Sequence, residues 1–417
     1  MSTGADGTAT DAAPARVLVL ASTFPRWEGD SMPPFIRHLG DALAARGFEI
    51  HVLAPHTFGA APEEHLGALH VHRFRYAPPR LEQLAYGGGI LENLRARRVR
   101  WLLVAPFLAA QAVAMLRLRR ACRIDLVHAH WILPQGLLSA LLARRLAVPL
   151  VLSAHGGDVF ASTRGLRRRL LGFATRRHDA ITVNSHAMCR ALEELTGCVG
   201  EVIPMGVDVA RFTAAGRRPR TSTAAPRLLF VGRLAEKKGV EFLLDAMPAI
   251  LERHPAARLE VVGEGPRRPA LEQQALALGI APAVHFRGAC DNSALPQHYA
   301  AADVFVAPSI VAADGDTEAL GVVLLEAAAA GLPLVTTDVG GIGDIVRDGV
   351  TGLVVPQRSG EALAGAVCRL LADPERASEL GRAAHAHVRG HFDWPAVAAR
   401  FAALYARLLG RVSDAAV

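Results

Sequence analysis

Residues 227–240, RLLFVGRLAEKKGV, place a short apolar run directly before a loop with a glycine at each end and the start of an amphipathic segment. A buried strand that is followed by a helix produces this pattern. The same succession recurs along the chain, so the sequence predicts an α/β protein built on parallel sheets. Outward from this stretch, ten strands are predicted, at residues 16–21, 49–54, 126–129, 150–153, 180–183, 227–231, 258–262, 284–287, 304–307 and 334–336.

The ten predicted strands fall into two groups of five, separated by residues 213–226. This polar stretch is rich in Arg, Pro, Thr and Ala and has no apolar periodicity, which predicts a linker. We therefore expect two Rossmann-like domains, at residues 16–212 and 227–390, that face each other across a cleft, with a disordered leader at 1–15. The apolar stripe within residues 391–417 predicts a C-terminal helix that packs back on the first domain.

Composition excludes several classes of protein. A chain of 417 residues that is 51% apolar and 20% charged can bury two cores, so it is neither disordered nor a small disulfide protein. The longest apolar run, residues 101–116, is interrupted by Pro106 and Gln111 and is shorter than the roughly 18 residues of a membrane span. Residues 1–15 lack the features of a secretory signal. Five widely spaced cysteines predict reduced thiols in a cytoplasmic protein, with neither disulfides nor a metal site.

Positive charge is concentrated in the first half of the chain. Residues 1–211 hold 25 Lys+Arg against 17 Asp+Glu, whereas the rest holds 21 against 22. Arginine clusters at 95–100, 117–123 and 164–177 lack interleaved aromatic residues, which favours an anionic membrane surface or a phosphate-bearing partner over nucleic acid. Solvated helix faces account for the clusters equally well. Residues 101–116 are interpreted first as a core helix, and alternatively as a helix docked on a membrane.

The loop at 232–239 is the first candidate binding site. It holds Lys237 and Lys238, the only lysines among 46 basic residues. A compact ammonium group suits phosphate oxygens, so this loop is predicted to bind phosphate. The next predicted loop, at 263–265, carries Gly-Glu-Gly but has Arg268 where a dinucleotide-binding motif needs its third glycine. A tight turn and a loop that lines the cleft both fit that segment.

Two acidic residues mark a second candidate site. Glu318 directly precedes the apolar run 319–330, which is predicted to be helical and to offer free N–H groups to an anion. Glu326 lies about two turns along this run, where an acid needs a partner, and a ribose diol would give it two hydrogen bonds. The alternative is that Glu318 caps the helix and that Glu326 pairs with an arginine.

These motifs together resemble the family-four retaining glycosyltransferases of the GT-B fold, also called group 1. The similarity runs over nearly the whole chain from residue 16 and is carried by GRLAEKKG at 232–239, the segment 318–326, GLP at 331–333, GVTGL at 349–353, and IPMGVD at 203–208 with Phe212. It implies an enzyme that makes polysaccharides or glycolipids. With the cysteine pattern and the arginine clusters, this predicts a cytoplasmic protein that is peripheral on the inner face of the membrane. The resemblance further implies a UDP- or GDP-linked sugar donor, a lipid-linked or saccharide acceptor, and no metal or other cofactor.

The resemblance also implies roles for individual residues. Arg233 and Lys238 would hold the donor diphosphate, Glu318 would contact the donor sugar, Glu326 would bind the ribose hydroxyls, and His155 would line the sugar from the first domain. The implied catalytic residues are His155, Arg233, Lys238 and Glu318. The residues implied to bind the donor are Gly232, Arg233, Lys238, Gly263, Arg287, Glu318, Ala319, Leu320, Gly321, Val322 and Glu326. Of these, main-chain atoms near Arg287 would contact the nucleobase. The acceptor side would hold Gly29, His130 and Asp158.

Some positions depart from the family's pattern. The loop at 23–34 has Gly29 but no Gly-Gly pair, Ala319 stands where glycine is common, and Gly343-Asp344 replaces Pro-Glu. Asp314-Gly315-Asp316 is interpreted as loop polarity rather than metal ligation, and the pair of histidines at 128 and 130 as polar packing. Two other functions stay open: a non-catalytic sugar-nucleotide-binding subunit and a GT-B sugar-nucleotide epimerase. The presence of both His155 and Glu318 favours the transferase.

Overall fold

The computed structural model describes residues 13–30, 32, 34–87, 89–160, 165–216 and 225–410. Within these residues the first sheet has eight strands in the order β3-β4-β2-β1-β5-β6-β7-β8, all parallel except that β3 runs antiparallel to β4. The strands are β1 (Ala15–Leu20), β2 (Phe48–Pro55), β3 (Glu63–Leu66), β4 (Leu69–Phe74), β5 (Leu126–His130), β6 (Leu150–Ser153), β7 (Ala180–Val183) and β8 (Glu201–Val202). The helices of this part are α1 (Phe35–Ala44), α2 (Ile90–Ala96), α3 (Val104–Ala121), α4 (Leu137–Leu146), α5 (Gly156–Val159), α6 (Leu166–Thr175), α7 (His186–Thr196) and α8 (Val209–Ala214).

The second sheet has six described strands, all parallel, in the order β11-β10-β9-β12-β13-β14. These are β9 (Arg227–Val231), β10 (Arg258–Val262), β11 (Val284–Gly288), β12 (Val304–Ala307), β13 (Leu334–Thr337) and β14 (Leu353–Val355). The remaining helices are α9 (Val240–Arg253), α10 (Arg268–Ala277), α11 (Leu295–Ala301), α12 (Val322–Ala329), α13 (Gly360–Ala372), α14 (Pro374–His391) and α15 (Trp394–Leu408). The predicted fold class, with two Rossmann-like domains built on parallel sheets, is thus confirmed.

All ten predicted strands are present, with bounds that differ by at most one residue at either end. The count of five strands in each sheet is wrong, because β3, β4, β8 and β14 were not predicted. β3 contains two glutamates and a histidine, β4 alternates apolar residues with histidines over only four positions, and β8 and β14 are two and three residues long. The apolar signal in each of these four strands is therefore short or weak.

The C-terminal helix packs on the first domain. Along β1 and β2, Val17 and Ile50 lie in the same buried cluster as Val397 and Tyr405 of α15. The opposite face of this sheet packs on α3 and α4. The chain thus returns to its first domain after it completes the second. Of the predicted leader and linker, residues 1–12 and 217–224 lie outside the described residues.

One described helical segment, Arg98–Ala121, is long and apolar enough to cross a membrane by length and composition alone. Only 17% of its most apolar window is buried within the protein. Its buried residues are Phe107, Gln111 and Met115, which form a stripe against the first sheet. The segment therefore has one face on the core and leaves other apolar side chains exposed.

Candidate active site

The loops that follow β9, β10 and β11 meet at the carboxyl edge of the second sheet. The Gly232 amide donates to the Val262 carbonyl at 2.9 Å, and the Gly263 amide donates to the Gly288 carbonyl at 2.8 Å. Gly263 has φ +139°, and a Cβ on it would lie 1.9 Å from the Gly232 carbonyl oxygen. A glycine is required here because two backbone segments touch. Main-chain atoms of both loops therefore lie at the edge where a parallel sheet binds ligands.

Lys238 and Glu318 form an ion pair at this edge. Lys238 Nζ lies 2.7 Å from Glu318 Oε1, and the two side chains are only 15% and 8% exposed. Gly239 turns the chain next to Lys238 with φ +60°, and a Cβ there would lie 2.0 Å from the Pro308 carbonyl oxygen. The structure thus brings together two residues that are 80 positions apart in the sequence. The pair gives the cleft a fixed cation beside a fixed carboxylate, both largely shielded from water.

The neighbouring lysine has a different role. Lys237 Nζ lies 3.1 Å from Asp316 Oδ1 and donates to the Thr317 carbonyl at 3.2 Å. Asp314 Oδ1 accepts a hydrogen bond from the Asp316 amide at 3.0 Å. Lys237 therefore holds the polar loop that leads to Glu318. Both aspartates of this loop have partners within the protein.

Arg233 points across the cleft. Its Nη2 atom lies 3.0 Å from Glu92 Oε1 on α2, and the side chains are 65% and 49% exposed. An exposed pair of this kind contributes little to stability, because water screens both charges. Arg233 is therefore free to exchange Glu92 for another anion at little cost.

The predicted helix start at residue 319 is wrong. α12 begins at Val322, after Gly321 in the left-handed region with φ +89°. A residue in that conformation does not continue a right-handed helix. The Glu318 carbonyl accepts from the Gly341 amide at 2.9 Å, and the Ala319 carbonyl accepts from Ser185 Oγ at 2.6 Å, so neither is used in a helical turn. Glu318, Ala319 and Leu320 thus lie in a loop before the helix.

Glu326 has a tyrosine as its partner. Tyr299 Oη donates to Glu326 Oε2 at 2.7 Å. Burial raises the pKa of Glu326, while this hydrogen bond and the charge of Arg211 act to lower it. A carboxylate accepts about four hydrogen bonds, so most of its acceptor capacity remains after the one from Tyr299. Sequence analysis missed Tyr299, because nothing in the pattern around it links it to a residue 27 positions away.

The first domain contributes a buried polar group at the ends of β5 and β6. His130 Nδ1 lies 3.2 Å from His155 Nε2, and the His155 amide donates to Asp158 Oδ2 at 3.0 Å. Burial lowers the pKa of His155 to about 4 and that of His130 well below its usual value, and it raises the pKa of Asp158 to about 6. Both imidazoles are therefore neutral near pH 7 and can exchange hydrogen bonds but carry no positive charge.

A second row of side chains supports this group from behind. His128 Nδ1 lies 2.6 Å from Tyr405 Oη and His128 Nε2 lies 2.7 Å from Ser153 Oγ, while Ser153 Oγ lies 2.6 Å from Thr182 Oγ1. Burial lowers the pKa of His128 to about 3. Both ring nitrogens of His128 are thus used within the protein. The C-terminal helix α15 takes part in positioning these residues through Tyr405.

The two domains touch beside the Lys238–Glu318 pair. A Cβ on Gly156 would lie 2.6 Å from the Ala319 Cβ, so the segment after His155 lies against the loop after Glu318. Asp344 Oδ2 accepts from the His186 amide at 2.8 Å, and Asp344 Oδ1 lies 3.0 Å from His186 Nδ1. Two of the positions that depart from the family pattern, Ala319 and Asp344, therefore make contacts between the domains.

Two predicted site residues, Arg287 and Gly29, lie in exposed segments of the structure. Arg287 Nε lies 2.7 Å from Glu260 Oε1, and the register shift between Val261 and Val262 places a bulge beside it. Gly29 lies in the loop after β1, which Arg26 and Asp30 close by an ion pair of 2.6 Å.

Known proteins match both halves of the chain. Residues 225–373 match the family described as Glycosyl transferases group 1, and residues 34–211 match Glycosyltransferase Family 4. The glycogen synthase of Mycobacterium tuberculosis is 32% identical over 407 residues, 94% of this chain and 94% of that protein. The GDP-mannose-dependent alpha-(1-6)-phosphatidylinositol monomannoside mannosyltransferase of the same species is 35% identical over 259 residues, 60% of this chain and 67% of that protein. The structure of sucrose-phosphate synthase from Thermosynechococcus elongatus matches with a TM-score of 0.75 and 25% identity over 95% of this chain and 99% of that one.

Proposed function

Because this chain belongs to the group 1, family-four glycosyltransferases, we propose that it is a retaining hexosyltransferase that uses a UDP- or GDP-linked sugar and needs no metal ion. The acceptor is a hydroxyl group of a saccharide or of a lipid-linked intermediate in polysaccharide or glycolipid synthesis. The observation that carries the proposal is the shielded Lys238–Glu318 pair, which lies beside the contact between Ala319 and the segment after His155.

Fixed positive charge takes the role of a metal in this mechanism. As the bond between the anomeric carbon and the diphosphate breaks, its electron pair moves to the leaving oxygen. Lys238 and Arg233 stabilise the negative charge that develops there. The acceptor oxygen forms the new bond on the same face of the sugar and gives its proton to the departing diphosphate. Because the acceptor attacks the face from which the diphosphate leaves, configuration at the anomeric carbon is retained without a covalent intermediate on a side chain.

The remaining polar groups position the donor. Glu318 holds Lys238 in place and accepts from a hydroxyl of the donor sugar, and Glu326 accepts from the ribose hydroxyls. His155 is neutral near pH 7, because burial lowers its pKa to about 4, so it acts on the sugar as a hydrogen-bonding group rather than as a cation. The name of the M. tuberculosis mannosyltransferase supports a nucleotide-sugar donor and a lipid acceptor for one relative.

A transfer assay across nucleotide sugars tests this function. We expect turnover with one UDP- or GDP-linked hexose, an unchanged anomeric configuration in the product by NMR, and full activity in EDTA. Inversion at the anomeric carbon would contradict the retaining mechanism. Loss of activity on chelation that magnesium or manganese restores, with an unchanged melting temperature, would contradict metal independence.

We extend the proposal to an anionic membrane at the cytoplasmic face, through the start of the segment Arg98–Ala121. Trp101 and Leu102 are 59% and 76% exposed there, and arginines at 95, 97, 98 and 100 precede them. Apolar side chains beside arginines suit the interface of an anionic bilayer.

Vesicle sedimentation tests this surface. Binding to anionic vesicles is expected to exceed binding to neutral ones, to fall with salt, and to drop in Trp101→Ser/Leu102→Ser but not in the control Leu141→Ser, which alters an exposed leucine of α4. Equal binding to both vesicle types, or equal loss in the control, would contradict the proposal.

A further inference from the structure

A second polar cluster lies on the first sheet, away from the cleft. It contains His51 of β2, His72 of β4 and Cys122, which directly follows α3. The potential ligand atoms of these side chains all lie within 4.8 Å of one another, and they are the one such group of three in the described part of the chain. Cys122 lies between the end of α3 and the start of β5. The cluster is therefore near the edge of the sheet formed by the amino-terminal ends of the strands.

The strand pairing explains why these residues meet. His51 pairs with His70, and Leu53 pairs with His72, in the parallel register of β2 and β4. Side chains two residues apart lie on the same face of a strand. His51 and His72 thus face the same side of the sheet as Leu53, which packs in the cluster formed with α3. The end of α3 then brings Cys122 over this face.

The two imidazoles have the geometry of a ligand pair. His51 Nδ1 lies 3.2 Å from His72 Nε2. The outer nitrogens face carboxylates: His51 Nε2 lies 2.9 Å from Glu49 Oε1, and His72 Nδ1 lies 3.5 Å from Glu63 Oε1. A neutral imidazole that donates from one nitrogen has a lone pair on the other. When His51 donates from Nε2 to Glu49, the lone pair on its Nδ1 faces His72 Nε2 and is available to a cation.

The spacing of the two facing nitrogens, His51 Nδ1 and His72 Nε2, matches that of two ligands of one zinc ion. Two nitrogen ligands about 2.0–2.1 Å from a tetrahedral zinc ion lie about 3.4 Å apart, close to the observed separation. Imidazole and thiolate are ligands that zinc prefers, and a carboxylate on the outer nitrogen of a ligating histidine is the usual second layer of such a site.

The geometry points to a structural zinc site formed by His51, His72 and Cys122, with water or a nearby carboxylate as the fourth ligand. Binding replaces the thiol proton of Cys122, which is released to solvent as the zinc–sulfur bond forms. The ion would join β2 and β4, near the edge of the sheet, to the end of α3. This site is independent of the proposed transfer reaction, and it revises the expectation from cysteine spacing that the chain binds no metal.

Metal analysis of the untagged full-length protein tests the site. We expect one zinc ion per chain after incubation with zinc and gel filtration, and a higher melting temperature with zinc than without. In cobalt-substituted protein, a thiolate-to-cobalt charge-transfer band is expected, and Cys122→Ser should abolish it. Zinc affinity, measured by competition with a chromogenic chelator, should fall by about tenfold or more in His72→Gln and in Cys122→Ser.

Two control variants separate ligation from general disturbance. His70→Gln removes a ring that lies 4.9 Å from that of His51 but is not in the ligand group, and Cys198→Ser removes a partly buried thiol elsewhere. Both are expected to keep zinc affinity and the cobalt band. Absence of stoichiometric zinc, absence of the band in the wild-type protein, or equal loss of affinity in the controls would overturn the assignment. The wild-type cobalt spectrum decides the question even where a variant fails to fold.

Discussion

Lys238 is both a structural partner and the proposed stabiliser of the leaving group. Its ammonium group lies 2.7 Å from the Glu318 carboxylate, and both are largely buried. Removal of one member of a buried pair leaves the other charge unpaired and is costly. A loss of activity in a single variant therefore mixes the loss of the cation with the disturbance of Glu318, and kinetics must separate the two.

The first prediction concerns this residue. Lys238→Ala is expected to lower kcat on the order of 10²-fold and to change the donor KM much less, since negative charge on the diphosphate grows in the transition state. Lys237→Ala, which removes the contact with Asp316 but leaves Lys238 in place, serves as the comparison and should lower kcat less than Lys238→Ala does. Steady-state kinetics of the two variants check this. If Lys238→Ala changes only KM, the residue merely binds the donor.

The second prediction concerns Glu326. Glu326→Ala should weaken binding of the nucleoside diphosphate by about 1.5–3 kcal/mol, because the ribose hydroxyls lose a charged acceptor. The same variant should bind a 2′,3′-dideoxynucleoside diphosphate as the wild type does, since no hydroxyl is left to lose its partner. Calorimetric titration with both nucleotides measures the difference. Equal losses for the two nucleotides would refute the ribose assignment.

Tyr299→Phe gives a graded control for that assignment. It removes the 2.7 Å hydrogen bond to Glu326 but keeps the ring within the core. That hydrogen bond lowers the pKa of Glu326, so its loss favours the neutral carboxyl group. Nucleotide affinity in this variant should therefore fall less than in Glu326→Ala, and the fall should grow as the pH is lowered.

At the scale of elements, β5 and the loop after β6 place three histidines in a protein interior. Burial lowers the pKa of His155 to about 4, that of His128 to about 3, and that of His130 well below its usual value. The fold therefore holds them neutral, whereas an unfolded chain protonates them below about pH 6.5. The histidines therefore do not reduce the free energy of unfolding above that pH, and they reduce it progressively as the pH falls below it. Asp158 acts oppositely: burial raises its pKa to about 6, so its contribution is lost as the pH rises through that value.

The third prediction follows from these signs. Near pH 5 the three histidines are protonated in the unfolded chain and neutral in the folded one, and they outweigh the opposite effect of Asp158, so the free energy of unfolding falls as the pH is lowered. Denaturant unfolding at several pH values between 4 and 7 measures the slope. His130→Gln should reduce the slope, and Asp158→Asn should increase it. A slope that neither variant changes would contradict the assignment of these groups.

Sequence patterns predict some elements of this molecule and not others. Strands β9, β10, β12 and β13 are apolar runs bounded by loop residues, and their positions follow directly from that pattern. β4 carries two histidines and an arginine, and its place beside β2 depends on pairing between distant segments. The predicted start of α12 was wrong because Ala319 and Leu320 have a high helix propensity. In the structure, Ser185 Oγ donates to the Ala319 carbonyl and the Gly341 amide donates to the Glu318 carbonyl, and these contacts hold the segment in a loop.

At the scale of the whole molecule, the active site depends on how two domains meet. The loop at 232–239 could be singled out from the sequence, because both lysines of the chain lie in it. The contacts of Arg233 with Glu92, of Ser185 with Ala319, and of His186 with Asp344 could not be predicted. They join residues more than 130 positions apart, and no local periodicity encodes such pairs. The approach of His155 to the loop that holds Glu318 therefore depends on contacts between the domains.

The last prediction tests whether this contact sets the rate. Gly156 is not in the left-handed region, so alanine is allowed there, but its Cβ would lie 2.6 Å from that of Ala319. Gly156→Ala should push the domains apart, leave nucleoside diphosphate affinity unchanged, and lower kcat, because a displacement of about 1 Å between reacting groups can cost 10²-fold. Gly157→Ala, where nothing lies within 4 Å of the added atom, is the matched control. The double variant Gly156→Ala/Ala319→Gly removes the clashing atom and should recover most of kcat. If the first variant keeps its rate, or if the double variant fails to recover it, the close approach of the two domains at Gly156 does not limit transfer.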